Sequence, residues 1–322
     1  MKLLASALFA VIGLYTDAVS VAQSYPAKAV HLVVPYTPGG GADTLARATA
    51  QRLSEVWGQQ VLVENKPGAN TAIGAEYVAK SAADGYTLFM IETALVINPS
   101  LHAKLPYDTF RDFAPVAGLV AISQALVVTP SSPLKSVPEL IQLAKTKPGE
   151  ISYASFGLGS TAHLNMEMLQ QMAGIRLNHI QYKGSAPAMV DVAGGHVAMM
   201  FNSTGGVLPQ LKSGKLRLIA MGSKARLPQY PDIPTVAEAG LSGFEASAWF
   251  GMVVPAATPR DVIGRINGSL QKIYAEPAFR ERNLLPQAFE PIVGTPEQFG
   301  EYMRAEALKW GKVARDAKVR LD

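Results

Sequence analysis

The chain of 322 residues contains no cysteine. That absence excludes a disulfide framework, a thiolate nucleophile and a cysteine-held metal. The five histidines, His31, His102, His163, His179 and His196, form neither an HExxH pattern nor a close pair along the chain, so no metal site is expected. Charged residues make up only 17% of the chain and are never gathered into a long run, and the formal net charge is +4. This balance speaks against a nucleic-acid partner and is compatible with small anions. Long apolar runs are missing too. The one at Leu3 to Tyr15, about 13 residues, is too short to span a ~30 Å hydrocarbon core. No repeat of 20 to 50 residues and no low-complexity linker is present, so solenoids and propellers are not expected.

Nucleotide and hydrolase signatures are equally scarce. The glycine cluster at Gly39-Gly40-Gly41 continues as Ala42-Asp43, where a phosphate-cradling loop needs Gly-Lys-Ser/Thr. Thr44 stands where a dinucleotide fingerprint needs its third glycine. Neither Ser155 nor Ser203 has a glycine two residues before it, as a nucleophile elbow requires. No cofactor is expected and no catalytic residue stands out.

At the N-terminus, Lys2, the apolar run and Ser20-Val21-Ala22 read as an export signal cleaved near Ala22, leaving residues 1–22 outside the fold. A retained N-terminal anchor is the alternative. Thereafter, short β-branched runs alternate with helical patterns: Val30–Pro35, a helix from Thr44, Val61–Glu64, a helix around Ile73–Ser81, and Thr87–Ile91. The alternation resumes at Ala125–Val128, Ile151–Ala154, Asn178–Gln181, Val197–Phe201 and Leu216–Met221. Strands separated by such helices predict an α/β protein with mostly parallel sheets covered on both faces. Proline-rich residues 227–243 precede an apolar run at Ala248–Pro255, a plausible return crossing, and three helices then follow. The expected division is two lobes, 24–123 plus 249–322 and 124–248.

Three strand-to-helix loops invite a ligand. Tyr36-Thr37-Pro38-Gly39-Gly40-Gly41-Ala42-Asp43 brings bare backbone to the start of a helix, whose unpaired N–H groups suit a carboxylate or phosphate. Asp43 is expected to cap that helix, with direct ligand contact the alternative. Ser155 to His163 repeats the arrangement, with Ser160 as N-cap, Gly159 and Thr161 beside it, and His163 either touching an anion or bonding back to its loop. The third, Tyr182-Lys183-Gly184, offers Lys183 as a point charge or a solvated surface residue. Glu92-Thr93-Ala94 and Asn202-Ser203 follow predicted strands, where open α/β sheets hold ligands. Trp249 is either a cleft wall or core.

These residues fall into an ordered set of motifs. Tyr25-Pro26-x-Lys28 is followed by Pro38-Gly39-Gly40-Gly41-Ala42-Asp43-x-x-Ala46-Arg47, Val63-Glu64-Asn65-Lys66-Pro67-Gly68-Ala69, and Ala83-Asp84-Gly85-Tyr86-Thr87-Leu88. Asn98-Pro99, Gly157-x-Gly159-Ser160-x-x-His163-Leu164, Tyr182-Lys183-Gly184 and Pro231-x-Ile233-Pro234-Thr235 complete it. Over the whole mature chain the sequence resembles the periplasmic solute-binding proteins of tripartite tricarboxylate transporters, the Bug or TctC-like receptors. The resemblance implies a two-lobed, type II Venus-flytrap protein without enzymatic chemistry, monomeric, that closes on one small organic carboxylate. It implies delivery to membrane permease subunits, or signalling through a sensor protein. It also implies that the Tyr36–Asp43 and Ser155–His163 loops hold a ligand carboxylate from opposite lobes. Asn202 stands where many members carry Asp, and no paired arginines declare a second anionic clamp, which favours a monocarboxylate or a neutral polar far end. A secreted α/β enzyme acting on carboxylated substrates is the alternative from another class.

Overall fold

The computed structural model describes residues 25–321; the expected export signal lies outside them. The chain runs β1 (Val30–Val34), α1 (Gly41–Trp57), β2 (Val61–Asn65), α2 (Ala72–Ala79), β3 (Thr87–Glu92), α3 (Ala94–Leu101) and β4 (Phe113–Val128). Then come α4 (Val137–Thr146), β5 (Ser152–Ser155), α5 (Thr161–Ala173), β6 (Asn178–Gln181), α6 (Ser185–Ala193), β7 (Met199–Ser203), α7 (Thr204–Lys212) and β8 (Arg217–Met221). The last part holds β9 (Ser247–Pro255), α8 (Arg260–Ala275), α9 (Pro277–Phe279), β10 (Phe289–Pro291) and α10 (Pro296–Asp316).

Burial explains the strands. Successive side chains of a strand point to opposite faces, so Leu88 and Met90 pack under α1 and α8, while Phe89 and Ile91 pack with α2, α3 and the start of α10. Each fully buried aliphatic contributes about 1.5–3 kcal/mol. Every residue of β9 is buried, as befits a central strand covered on both sides. The second half repeats the plan: Leu126, Val128 and Phe201 meet α4 and α5, whereas Ala125, Val127 and Met200 meet α6 and α7.

One element joins the halves. The 16-residue β4 pairs with β9 and β10 through its first part and with β7 and β8 through residues 124–128. The strand order is β2-β1-β3-β9-β4-β7-β5-β6. The sequence reading found only Ala125–Val128, because Pro115 and Gly118 interrupt the apolar run. Both sit at register shifts against β9, where a bulge tolerates a residue that pairs poorly. The return crossing is the stretch from Met221 to Ser247, tied at Gly222 N to Gln124 O (2.6 Å) and Ala246 N to Gly222 O (2.8 Å).

The C-terminal segment does not stay with the first half. Phe299 and Met303 of α10 lie in the first half's core, but Trp310, Val313 and Ala314 pack among Leu126, Tyr153 and Leu169 in the second. Ala288 likewise joins the cluster of Ala188, Val192 and Val207. A boundary drawn through sequence alone, with all of 249–322 in one lobe, misses these straps because an amphipathic helix does not announce which core its apolar face will enter.

Candidate functional site

The directions of the strands decide where the loops gather. β3 runs antiparallel to β9, so its C-terminal Glu92 stands opposite Phe250, close to the crossing at Ser123 and Ser247. β7 runs antiparallel to β4, so its C-terminal Ser203 stands opposite Gln124. β1 and β2 are parallel to β3, and β5 and β6 follow β7. The C-terminal edges of both halves therefore converge on the crossing, the place where open α/β sheets hold ligands.

On the first half, α1 starts at Gly41 with Gly40 as N-cap. Asp43 is therefore not the cap, correcting the sequence expectation. It is the third helical residue and reaches backward: its carboxylate accepts from Gly39 N (2.9 Å), Arg47 Nε (2.9 Å) and Nη2 (3.0 Å), and Asn65 Nδ2 (2.8 Å). Asn65 also donates to the Tyr36 carbonyl (2.9 Å). The guanidinium of Arg47, with help from Gly39 and Asn65 and against the effect of burial, holds the Asp43 carboxyl at about 2. Its lone pairs are committed to the loop, whose Thr37 to Gly41 backbone stays exposed with the N–H groups of the first helical turn.

The second half repeats this device with a different side chain. Ser160 caps α5 as expected, accepting from His163 N (3.4 Å) and donating to Gly157 O (2.7 Å). His163, again the third helical residue, accepts from Gly159 N through Nδ1 (3.1 Å). In both loops a glycine N–H is thus captured by the side chain four residues on. His163 is buried and stacks on His179 at 4.2 Å, and His179 stacks on Tyr153 at 4.9 Å and bonds Ser155 Oγ (2.7 Å). The two histidines, distant in sequence, form the close pair that the spacing concealed. Burial first, then the neighbouring His179, pushes His163 down to about 3, so it carries no charge to offer an anion and acts on the loop instead.

This arrangement has a pH signature. Between the ordinary value of 6.5 and about 3 the unfolded chain takes up a proton that folded His163 refuses, so stability declines as pH falls through that window. Asp43 adds a second decline, below its ordinary 3.8, as the unfolded carboxyl protonates while the folded one stays ionised down to about 2. Urea midpoints measured across pH 7 to 4 should fall, and His163→Asn should flatten the slope, leaving the part due to His179. An unchanged slope would contradict a buried neutral imidazole.

The remaining expected residues divide. Ser155 is fully buried, with its hydroxyl engaged by Gly157 and His179; it supports the loop from below. Gly159 is buried at φ +73°, and a Cβ there would lie 2.6 Å from Leu101 Cδ1. Thr161 is half-buried, Lys183 is exposed and Gly184 caps α6. Asn202 donates to Ser185 Oγ (2.7 Å) and accepts from Ser203 N (2.8 Å), and Ser203 caps α7. Thr93 and Ala94 are buried at the start of α3, and Thr93 Oγ1 accepts from Trp249 N (3.1 Å). Trp249 is a correction: its ring is fully buried against Phe299 and Tyr302, with Nε1 donating to Glu306 (3.2 Å). It is core, because its position on central β9 puts it under α10.

Sequence reasoning missed two orphaned polar groups at these edges. Gln124, at the crossing, keeps Oε1 buried without a partner, and so does the hydroxyl of Thr71. Thr71 ends a run of left-handed residues, Ala69, Asn70 and Thr71 at φ +46°, +47° and +76°. Non-glycine residues hold such strain only where surroundings enforce it. Asn70-Thr71 gave no local warning of it. A cavity of about 620 Å³ lined by Ala121, Glu245, Ser247, Glu290 and Tyr302 also opens at the crossing and includes none of the expected residues. Among the described residues no cluster of three or more His, Asp or Glu is placed to hold a metal ion, and no helix is long and apolar enough to cross a membrane.

Two α/β halves joined by crossing strands, with helix N-termini gathered at the junction, define a two-lobed solute-binding protein of the periplasmic binding class. The model of the tripartite tricarboxylate transporter family receptor matches residues 45–319, and the chain belongs to that family. Protein BugT of Bordetella pertussis is 36% identical over 321 residues, covering 98% of each chain. Among solved structures, R. palustris Rpa4515 with adipate has a TM-score of 0.82 at 35% identity, covering 92% of this chain and 99% of that one. MatC of Rhodopseudomonas palustris with bound malate has a TM-score of 0.77 at 27% identity, covering 90% and 99%. The family is one of receptors, and so is this chain; the reading as a secreted enzyme does not hold.

Proposed function

We propose that the protein captures a small organic carboxylate between its halves in the periplasm and hands it to the membrane permease subunits of a tripartite tricarboxylate transporter. The observation that carries this is the matched pair of loops, each with a glycine N–H tied back by the fourth residue on, Asp43 or His163. Such loops leave the N–H groups of α1 and α5 aimed at the junction, and helix N-termini suit a carboxylate. Side chains of the loops act as scaffolding, and the exposed backbone of Tyr36 to Gly41 and the turn before Thr161 make the contact. Lys183, Asn202 and Ser203 line the far side. The adipate and malate held by Rpa4515 and MatC support the ligand class. The protein acts as a monomer, exported through cleavage near Ala22. A sensor protein reading the loaded form is the alternative recipient, and disrupting the permease genes while following uptake separates the two.

Native mass spectrometry of protein taken from the cell envelope tests the reading, followed by thermal-shift screening of stripped protein against small organic acids. One acid bound per chain, raising the melting temperature with dose, is the expected result. Chemical conversion of a bound acid would overturn it.

A further inference from the structure

Glu92 is an acidic group of this edge, beside Tyr36 of the first glycine loop, that lacks a counter-charge. It ends β3 opposite Phe250, beside the crossing. Protein surrounds it on most sides, yet it keeps partial access to solvent. Among the described residues it makes no ion pair, whereas Asp43, Glu64, Glu76, Glu238, Glu276 and Glu306 all do. Its polar neighbour is Tyr36 of the first loop, whose hydroxyl is shut off from solvent without a well-formed hydrogen bond. Burial pushes the Glu92 carboxyl up and its contact with Tyr36 pulls it back only in part. A few residues away, Gln124 Oε1 is a second buried acceptor lacking a donor.

An unpaired carboxylate so placed is costly when desolvated. It is a liability in a pocket for anions unless the ligand brings the missing partner. We propose that Glu92 is the specificity-determining residue of the cleft and selects a zwitterionic amino-carboxylate, whose ammonium it accepts while the glycine loops take the carboxylate. This rests on the receptor reading and narrows it. The loops supply N–H donors and this corner supplies acceptors, so a ligand that is a hydrogen-bond acceptor at one end and a cation at the other satisfies both. A dianion satisfies only the first.

The test is isothermal titration of the stripped, full-length mature protein with three matched pairs, glycine and acetate, β-alanine and propionate, γ-aminobutyrate and butyrate, together with succinate. At least one amino member should bind ten times or more tighter than its deaminated match and tighter than succinate. Glu92→Gln should cut that ratio below threefold and improve succinate, while Glu92→Asp, which keeps the charge, should preserve the direction of the preference. The melting temperature of each unliganded variant verifies folding, and Glu92→Gln should not lower it. Equal binding of amino and plain acids, or a preference that Glu92→Gln leaves intact, would overturn the assignment while the receptor reading survives. Binding of none of the seven overturns the assignment too, and the receptor reading then stands or falls on the acid recovered from the cell envelope.

Discussion

Glu306→Ala will destabilise the protein by about 3–5 kcal/mol. Glu306 is buried in the middle of α10, and its Oε2 accepts from the indoles of Trp249 (3.2 Å) and Trp310 (2.9 Å). Lys309 pairs with Oε1 at 2.5 Å. Alanine leaves two indole N–H groups buried and unpaired, at about 1–3 kcal/mol each, and opens a void between both cores. Glu306→Gln retains an amide oxygen and should lose only about 1 kcal/mol. Equilibrium urea unfolding of the two variants separates these values, and equal losses would show that charge rather than hydrogen bonding matters there. Because Trp249 belongs to the first half and Trp310 packs in the second, a broadened or split transition in Glu306→Ala is the accompanying sign.

Gly205→Ala ranks next, with an expected loss of about 2–3 kcal/mol. A Cβ at this first-turn position of α7 would lie 2.4 Å from the carbonyl oxygen of Gln287 and 3.0 Å from its carbon. These are backbone atoms in the turn before β10, so no side chain can rotate out of the way. The methyl group must push α7 from that turn, and with it the Ser203 cap and Asn202 at the edge of the site. Thermal melting measures the loss. A variant within about 0.5 kcal/mol of the parent would mean that the turn at Gln287 is free to shift, contrary to the packing of Ala288 against Val207 and Ala188.

Much of this architecture was readable because strands and helices alternate with clean periods. Asn178–Gln181 matches its expectation, and Pro277 and Pro296 do mark helix starts. What escaped depends on contacts far apart in sequence. The first three quarters of β4, Phe113 to Gln124, were hidden by Pro115 and Gly118, tolerated because β4 bulges against β9 there. At the site, the positions of Gly39 and Gly159 were legible from the glycine clusters and the Ser160 cap. The roles of Asp43 and His163 were not: a first-turn residue bonding back to a glycine N–H has no pattern separable from a cap, and His163 owes its neutrality first to burial and then to His179, sixteen residues away. Trp249 was ambiguous for the same reason, since the helix that buries it begins nearly fifty residues later.

The place of β9 between β3 and β4 has a consequence for the order in which the chain can mature. Synthesis delivers β1, β2, β3 and β4 early, but the strand that fills the gap between β3 and β4 arrives only at residues 247–255. The second half, whose strands β5 to β8 are contiguous with the end of β4, can close its own sheet meanwhile. Until then the inner edge of β3 presents unpaired backbone, an open template for another strand. The nascent chain, with its first half waiting for its last strand, is therefore the form most exposed to edge-to-edge aggregation.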